Sequence, residues 1–72
     1  MKTLDLHGTS HINAETLVES FFYNNEFPVK IVTGKSEKMH KIVLDIIDRY
    51  GYDYHYERLV NQGCLVITDK HI

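Results

Sequence analysis

The sequence predicts a small α+β domain: a βαβαββ order in two layers, with a four-stranded mixed sheet and two helices on one face. Three observations predict it. Residues 2–7, "KTLDLH", alternate with the two-residue period of a half-buried strand. Residues 29–33, "VKIVT", form a β-branched run halted by Gly34. Between and after these runs lie two stretches whose apolar residues recur at helical spacing. Seventy-two residues permit one core, so a single domain spanning 1–72 is expected, burying about 60% of its unfolded surface.

In the first strand Leu4 and Leu6 face one way and Thr3, Asp5 and His7 the other, with Gly8 ending the run. From about Ile12 to Asn25, residues Ala14, Leu17, Val18 and Phe21 trace one helical face, and Ser10 or Asn13 suits the cap. "NNEFP" then breaks the helix, because the residue before a proline leaves helical space. After the second strand Ser36 suits a second cap, with Glu37 in the first turn where the helix dipole favours an acid. Met39, Ile42, Val43, Ile46, Ile47 and Tyr50 follow the i, i+3, i+4, i+7 pattern, and Gly51 suits the helix end. "YDYHYER" reads as a third strand with Tyr52, Tyr54 and Tyr56 on one face. "NQG" (61–63) reads as a turn and "CLVIT" (64–68) as the last strand.

A helix between the first two strands makes them parallel, joined by a right-handed crossover. Their carboxyl ends then share one sheet edge, and open α/β sheets bind ligands at that edge. "DLHG" and "TGKS" both begin there.

Composition excludes several classes. The chain is 43% hydrophobic and 25% charged, with one proline and four glycines, which is ordinary for a globular domain. Its net charge of −2 argues against a general phosphate-coating protein. No apolar run approaches a membrane span, and the start lacks the pattern of a signal peptide. Cys64 is the only cysteine, which agrees with a reducing, cytoplasmic setting. Charge is unevenly distributed: Lys30, Lys35, Lys38, His40 and Lys41 gather against one acid, Glu37. That patch is either an anion-facing edge or a solvated helix surface.

In "TGKS", Gly34 permits a tight turn and Ser36 opens a helix whose free N–H groups bind phosphate or carboxylate, with Lys35 beside them. The phosphate-binding loop of nucleotide triphosphatases is excluded, since its first glycine would fall at Val29. Asp5 and His7 lie about 7 Å apart on one side of an extended strand. A carboxylate there either steadies the imidazole for proton transfer on a phosphodiester or merely accepts loop N–H groups while His7 stays exposed. His11, His40, His55 and His71 lack zinc-ligand spacing, so no metal or other cofactor is expected. Cys64 reads as core. The tyrosines read as core or as cover for the open sheet face, although such rows also stack single-stranded bases.

"LDLHG" at 4–8, "IVTGK" at 31–35 and "NQG" before the last strand, in this order, resemble the Smr (small MutS-related) domain from Leu4 to about Thr68. The resemblance implies sheet order 1-2-4-3 with an antiparallel fourth strand, a fold similar to the C-terminal domain of bacterial initiation factor three. It also implies a nucleic-acid protein, an endonuclease that cleaves RNA or DNA without a required metal in several members, some acting at ribosomes. Carried over, Asp5 and His7 are catalytic candidates, and Gly8, Thr33, Gly34, Lys35, Ser36 and Asn61 candidates for phosphate or nucleic-acid binding. Ser36 replaces a second glycine of the family loop, and this chain is acidic and expected to stand alone where relatives are often basic and attached to larger proteins. A phosphodiester hydrolase acting on RNA in preference to DNA is therefore the first expectation. A non-catalytic nucleic-acid or protein interaction module is the second. A monomer or weak dimer is expected, with no membrane partner.

Overall fold

A computed structural model describes residues 1–58 and 61–69 of the chain. Six elements follow in the expected order: β1 (Lys2–Asp5), α1 (His11–Asn24), β2 (Val29–Val32), α2 (Glu37–Tyr50), β3 (Asp53–Arg58) and β4 (Asn61–Thr68). They build one four-stranded sheet of order β1-β2-β4-β3, parallel between β1 and β2 and antiparallel elsewhere. The predicted α+β class, strand order and mixed sheet are all observed.

Register assigns the two faces. Leu4 lies opposite Ile31, Ile31 opposite Leu65, and Leu65 opposite Tyr56, so this row shares one face. Val29, Ile67 and Tyr54 form the next row. Both helices cover this face. Ala14, Val18 and Phe22 of α1 and Met39, Val43, Ile46 and Ile47 of α2 close over Val29, Ile31, Leu65 and Ile67 in one buried cluster that also takes Leu6. Fully burying a side chain of this size contributes about 1.5–3 kcal/mol. Outside the core, Arg49 of α2 donates to Glu15 and Glu19 of α1, and Tyr50 donates its hydroxyl to Glu19.

The opposite face has no helix. Asp5, Val32 and Cys64 form one row across it, and Thr3, Lys30, Val66 and His55 another. Lys30 and Glu57 pair across β4 at the irregular step between Tyr56 and Arg58, and Val66, opposite Lys30, is only 7% exposed although no helix covers it.

Several local expectations are corrected. In α1 the core row is Ala14, Val18 and Phe22, an i, i+4, i+8 line; Leu17 is 41% exposed and Phe21 half-buried. The helix also leaves Ile12 and Tyr23 exposed, so its apolar residues do not define one stripe. Of the two expected caps, Ser10 holds the N-cap position, but its side chain does not cap the backbone and instead accepts from Asn13 Nδ2. In α2 the core line is Met39, Val43, Ile46 and Ile47, with Ile42 half-buried and Tyr50 exposed. Tyr52 precedes β3 and packs edge-on against Phe22 at 5.3 Å between ring centroids. Tyr56 packs on the core from the helix side, whereas Tyr54 at the outer strand is exposed, so the tyrosines do not form one uniform row. Asn61, Gln62 and Gly63 belong to β4, with Asn61 paired to Arg58, instead of forming a turn. Cys64 is half-buried on the open face rather than in the core. His71 lies outside the described residues.

Candidate nucleic-acid interface

The carboxyl ends of β1 and β2 lie on one edge, and the chain leaves each through a glycine with positive φ. β1 stops at Asp5, and the Leu6 N–H still donates to Val32 O at 2.8 Å. A turn follows, closed by Thr9 N–H on Leu6 O at 2.9 Å, with Gly8 at φ 83° in its third position. A side chain is strained at that φ, so this position favours glycine.

The turn changes the geometry expected for Asp5 and His7. His7 lies beyond the strand, so the two side chains do not simply alternate along it. Asp5 Oδ1 accepts the His7 backbone N–H at 2.9 Å. The carboxylate therefore fixes the turn that carries His7 and makes no bond to the imidazole. Of the two readings open from sequence, the backbone-accepting one is observed.

His7 nonetheless reaches the second motif. Its Cδ2 lies 3.4 Å from the place a Cβ on Gly34 would occupy, so the imidazole rests against the Gly34 backbone. Gly34 has φ 71°, a region that costs an L-residue roughly 1–2 kcal/mol. The backbone demands glycine there, whereas a Cβ would meet the His7 ring only at van der Waals distance.

β4 holds this loop from the other side. The Gly63 carbonyl accepts the Thr33 N–H at 2.8 Å and the Gly34 N–H at 3.2 Å. Thr33 is buried, 2% exposed, and its hydroxyl donates to the Gly34 and Gly63 carbonyls, so it shapes the loop from inside. Ser36 caps α2, its Oγ accepting the Met39 N–H at 3.1 Å. The same hydroxyl lies 3.5 Å from His11 Nε2, which ties the start of α1 to the start of α2. Lys35 is exposed between them. Of the basic patch, Lys38 and Lys41 are also exposed, but Lys30 is on the open sheet face, engaged by Glu57.

Two grooves flank the loop. One, of about 540 Å³, is lined by His7, Val32 and Cys64 together with Gly34, Lys35, Ser36 and Gly63. The other, of about 310 Å³, shares those last four residues and adds Glu37, His40 and Gln62. The structure thus brings together His7, Gly34, Lys35 and Ser36 of the predicted set. Asp5 and Gly8 support them through the turn without lining either groove. Asn61 stands at the start of β4, whereas Gly63, two residues on, meets the loop. The sheet order implied by the Smr resemblance sets residues 61–63 beside the end of β2, and Gly63 meets the loop there, although the resemblance singles out Asn61. The sequence reads His40 only as part of the basic patch and does not mark Gln62 or His11 as site residues. The antiparallel pairing of β2 and β4 was the available signal for Gly63, because it sets Val32 opposite Cys64.

Among the described residues no cluster of three His, Cys, Asp or Glu side chains has the arrangement of a metal site. No helix among them is long and apolar enough to cross a membrane.

The thiol in the larger groove is tuned away from nucleophilic work. Burial pushes Cys64 up first, and the Glu57 side chain that it bonds pushes it further. A nucleophilic cysteine requires the opposite shift. Glu57 itself is lowered, chiefly by its hydrogen bond with Lys30 and then by that with Cys64, while the Glu57 bond raises Lys30. The lowered Glu57 contributes stability above its ordinary range and loses it as pH falls through its folded value. The raised Lys30 contributes below its ordinary value and loses it as pH rises through the folded one. The pair is therefore intact across the neutral range. Alkylation of Cys64 by iodoacetamide is expected to be several-fold slower at pH 7.5 than that of a free cysteine peptide. Glu57→Gln is expected to shift the rate-against-pH curve to lower pH, and an unmoved curve would show that Glu57 does not hold the thiol.

Comparison with known proteins adds no relative: no protein-family model, no curated protein and no solved structure matches the chain.

Proposed function

We propose that the chain is a small nucleic-acid-binding protein of Smr type that hydrolyses phosphodiester bonds, with RNA preferred over DNA, in the cytoplasm. The observation that carries this reading is the contact of the His7 ring with Gly34, which sets an imidazole beside Lys35 at the start of a helix. A phosphate resting on the Gly34–Ser36 loop would meet the Lys35 ammonium and the positive end of α2. His7 would take a proton from the attacking hydroxyl and return it to the leaving oxygen, while Lys35 offsets the charge building on phosphorus. Asp5 acts through the turn, as a positioning residue.

Purified protein is expected to cut end-labelled RNA faster than DNA of the same sequence, with or without a chelator. Intact RNA after prolonged incubation would remove the hydrolytic claim. Lys35→Ala is expected to weaken RNA binding several-fold near 100 mM salt and to flatten the slope of log affinity against log salt by about 0.7, one phosphate contact on a single strand. Fluorescence anisotropy across a salt series measures both.

A second reading is a module of the same fold that binds without cutting. It is favoured by the bond of Asp5 to the His7 N–H, which leaves the imidazole without a carboxylate partner there. That reading predicts the same salt slope and no cleaved product. Association with the ribosome, implied by the Smr resemblance, fits either reading.

A further inference from the structure

The smaller groove differs in chemistry from the loop that it shares. Lys35 lines both grooves and, among the described residues, is the one lysine or arginine in either lining, suited to a phosphate. With it in the smaller groove stand Glu37, a carboxylate, Gln62, an amide with both donors and acceptors, and the His40 ring. A carboxylate there repels a second phosphate. Together the three groups offer what a base presents at its edge and face: an acceptor, a mixed donor and acceptor, and a flat ring.

His40 is also held in place. Its Nε2 lies 2.9 Å from Tyr56 Oη, and the two rings are tilted by 33° with centroids 5.6 Å apart. Burial raises the Tyr56 hydroxyl above its ordinary value, so it stays protonated at neutral pH and can donate to His40. Fixed by that bond, the ring lines the groove with little freedom left to lose on binding.

We infer that Glu37, His40 and Gln62 form a nucleobase subsite, taking one unpaired base of a single strand whose adjoining phosphate sits on Lys35. This rests on the reading of the Gly34–Ser36 loop as a phosphate site. This arrangement directs the strand across the loop, one nucleotide on each side. Glu37 favours bases that present N–H donors, and guanine presents two adjacent ones on its pairing edge.

The test compares two probes: a hexamer RNA with guanine at every third position, and a hexamer of the same sugar–phosphate backbone without bases. His40→Ala is expected to lower affinity for the RNA about tenfold, the scale of one stacked base, and to leave the abasic chain unchanged. Lys35→Ala lowers affinity for both. Glu37→Gln and Gln62→Ala replace exposed side chains, so they report on the subsite without disturbing the core; each is expected to lower RNA affinity, Gln62→Ala leaving the abasic chain unchanged and Glu37→Gln raising affinity for it. If wild type binds both probes and all three subsite variants match it on RNA, the subsite is disproved while the phosphate site stands. If wild type binds neither probe, the phosphate site fails and the subsite with it.

Discussion

Ile31→Ala is expected to remove a large share of the folding stability of the chain, about 2–5 kcal/mol. Ile31 is fully buried on β2, between β1 and β4, opposite both Leu4 and Leu65. Truncating a buried isoleucine to alanine costs about 2–5 kcal/mol, in lost transfer energy and in the cavity left behind. A chain of 72 residues has roughly 4–11 kcal/mol in total, at about 0.05–0.15 kcal/mol per residue. The substitution therefore removes a large share, and at the upper end all, of the stability. Urea unfolding followed by far-UV circular dichroism checks this: the midpoint is expected to fall by 2 M or more if the slope is about 1 kcal/mol/M. Ile31→Val removes one methyl group and is expected to cost only about 0.5–1.5 kcal/mol. An Ile31→Ala midpoint within that smaller range would mean that the helices relax into the vacated space. The same strand runs directly into Thr33 and Gly34, so the partly unfolded variant is also expected to lose RNA binding in proportion to its unfolded fraction.

What the sequence makes legible follows from where the physics is local. α2 is readable because a strong cap, Ser36, precedes an apolar line that one face of the sheet buries. β1 and β2 are readable from period and β-branching, and their parallel pairing then follows from the helix between them. α1 is readable as a helix but not in its orientation. Phe21, Phe22, Leu17 and Val18 offer two overlapping apolar lines, and only packing against α2 and the sheet selects 14, 18 and 22. The role of the "NQG" segment is hidden for a different reason. Its residues carry turn propensity, yet Asn61 is already paired to Arg58, and β4 continues into Cys64 opposite Val32, a pairing distant in sequence that overrides the local signal.

The site divides in the same manner. That "DLHG" and "TGKS" share an edge is a statement about topology, and topology is readable from element order. That the His7 ring reaches Gly34 is also within reach of such reasoning, because both flank the same edge. The hydrogen bond of Asp5 is not. A carboxylate two residues before an N–H can close onto it, or point away along a strand, and the outcome depends on β1 stopping at Asp5 rather than at His7. His40 and Gln62 were hidden more deeply, since nothing in α2 or β4 alone places a helix side chain beside a residue of the last strand.

That one hydrogen bond decides how the catalytic claim is tested. His7→Ala is expected to lower RNA cleavage by about 10²–10⁴-fold, the usual worth of a positioned proton-transfer group, while RNA affinity changes little. Lys35 and the loop backbone, to which the proposal assigns binding, are untouched by it. Asp5 is expected to behave differently at its two substitutions. Asp5→Asn keeps an Oδ1 that can accept the His7 N–H, so the turn survives and cleavage is expected to remain within a few-fold of wild type. Asp5→Ala removes the acceptor, loosens the turn and is expected to cost on the order of tenfold in rate. A carboxylate acting directly on the imidazole would give the reverse pattern. Asp5→Asn would then fall nearly as far as His7→Ala, because neutralising the acid removes its influence on the ring, and the pH profile would shift. Rates measured for the three variants from pH 5 to 9, each normalised to its own RNA affinity, separate the two cases. If all three cleave as wild type does, proton transfer by His7 is excluded; the binding module stands only if wild type itself yields no cleaved product.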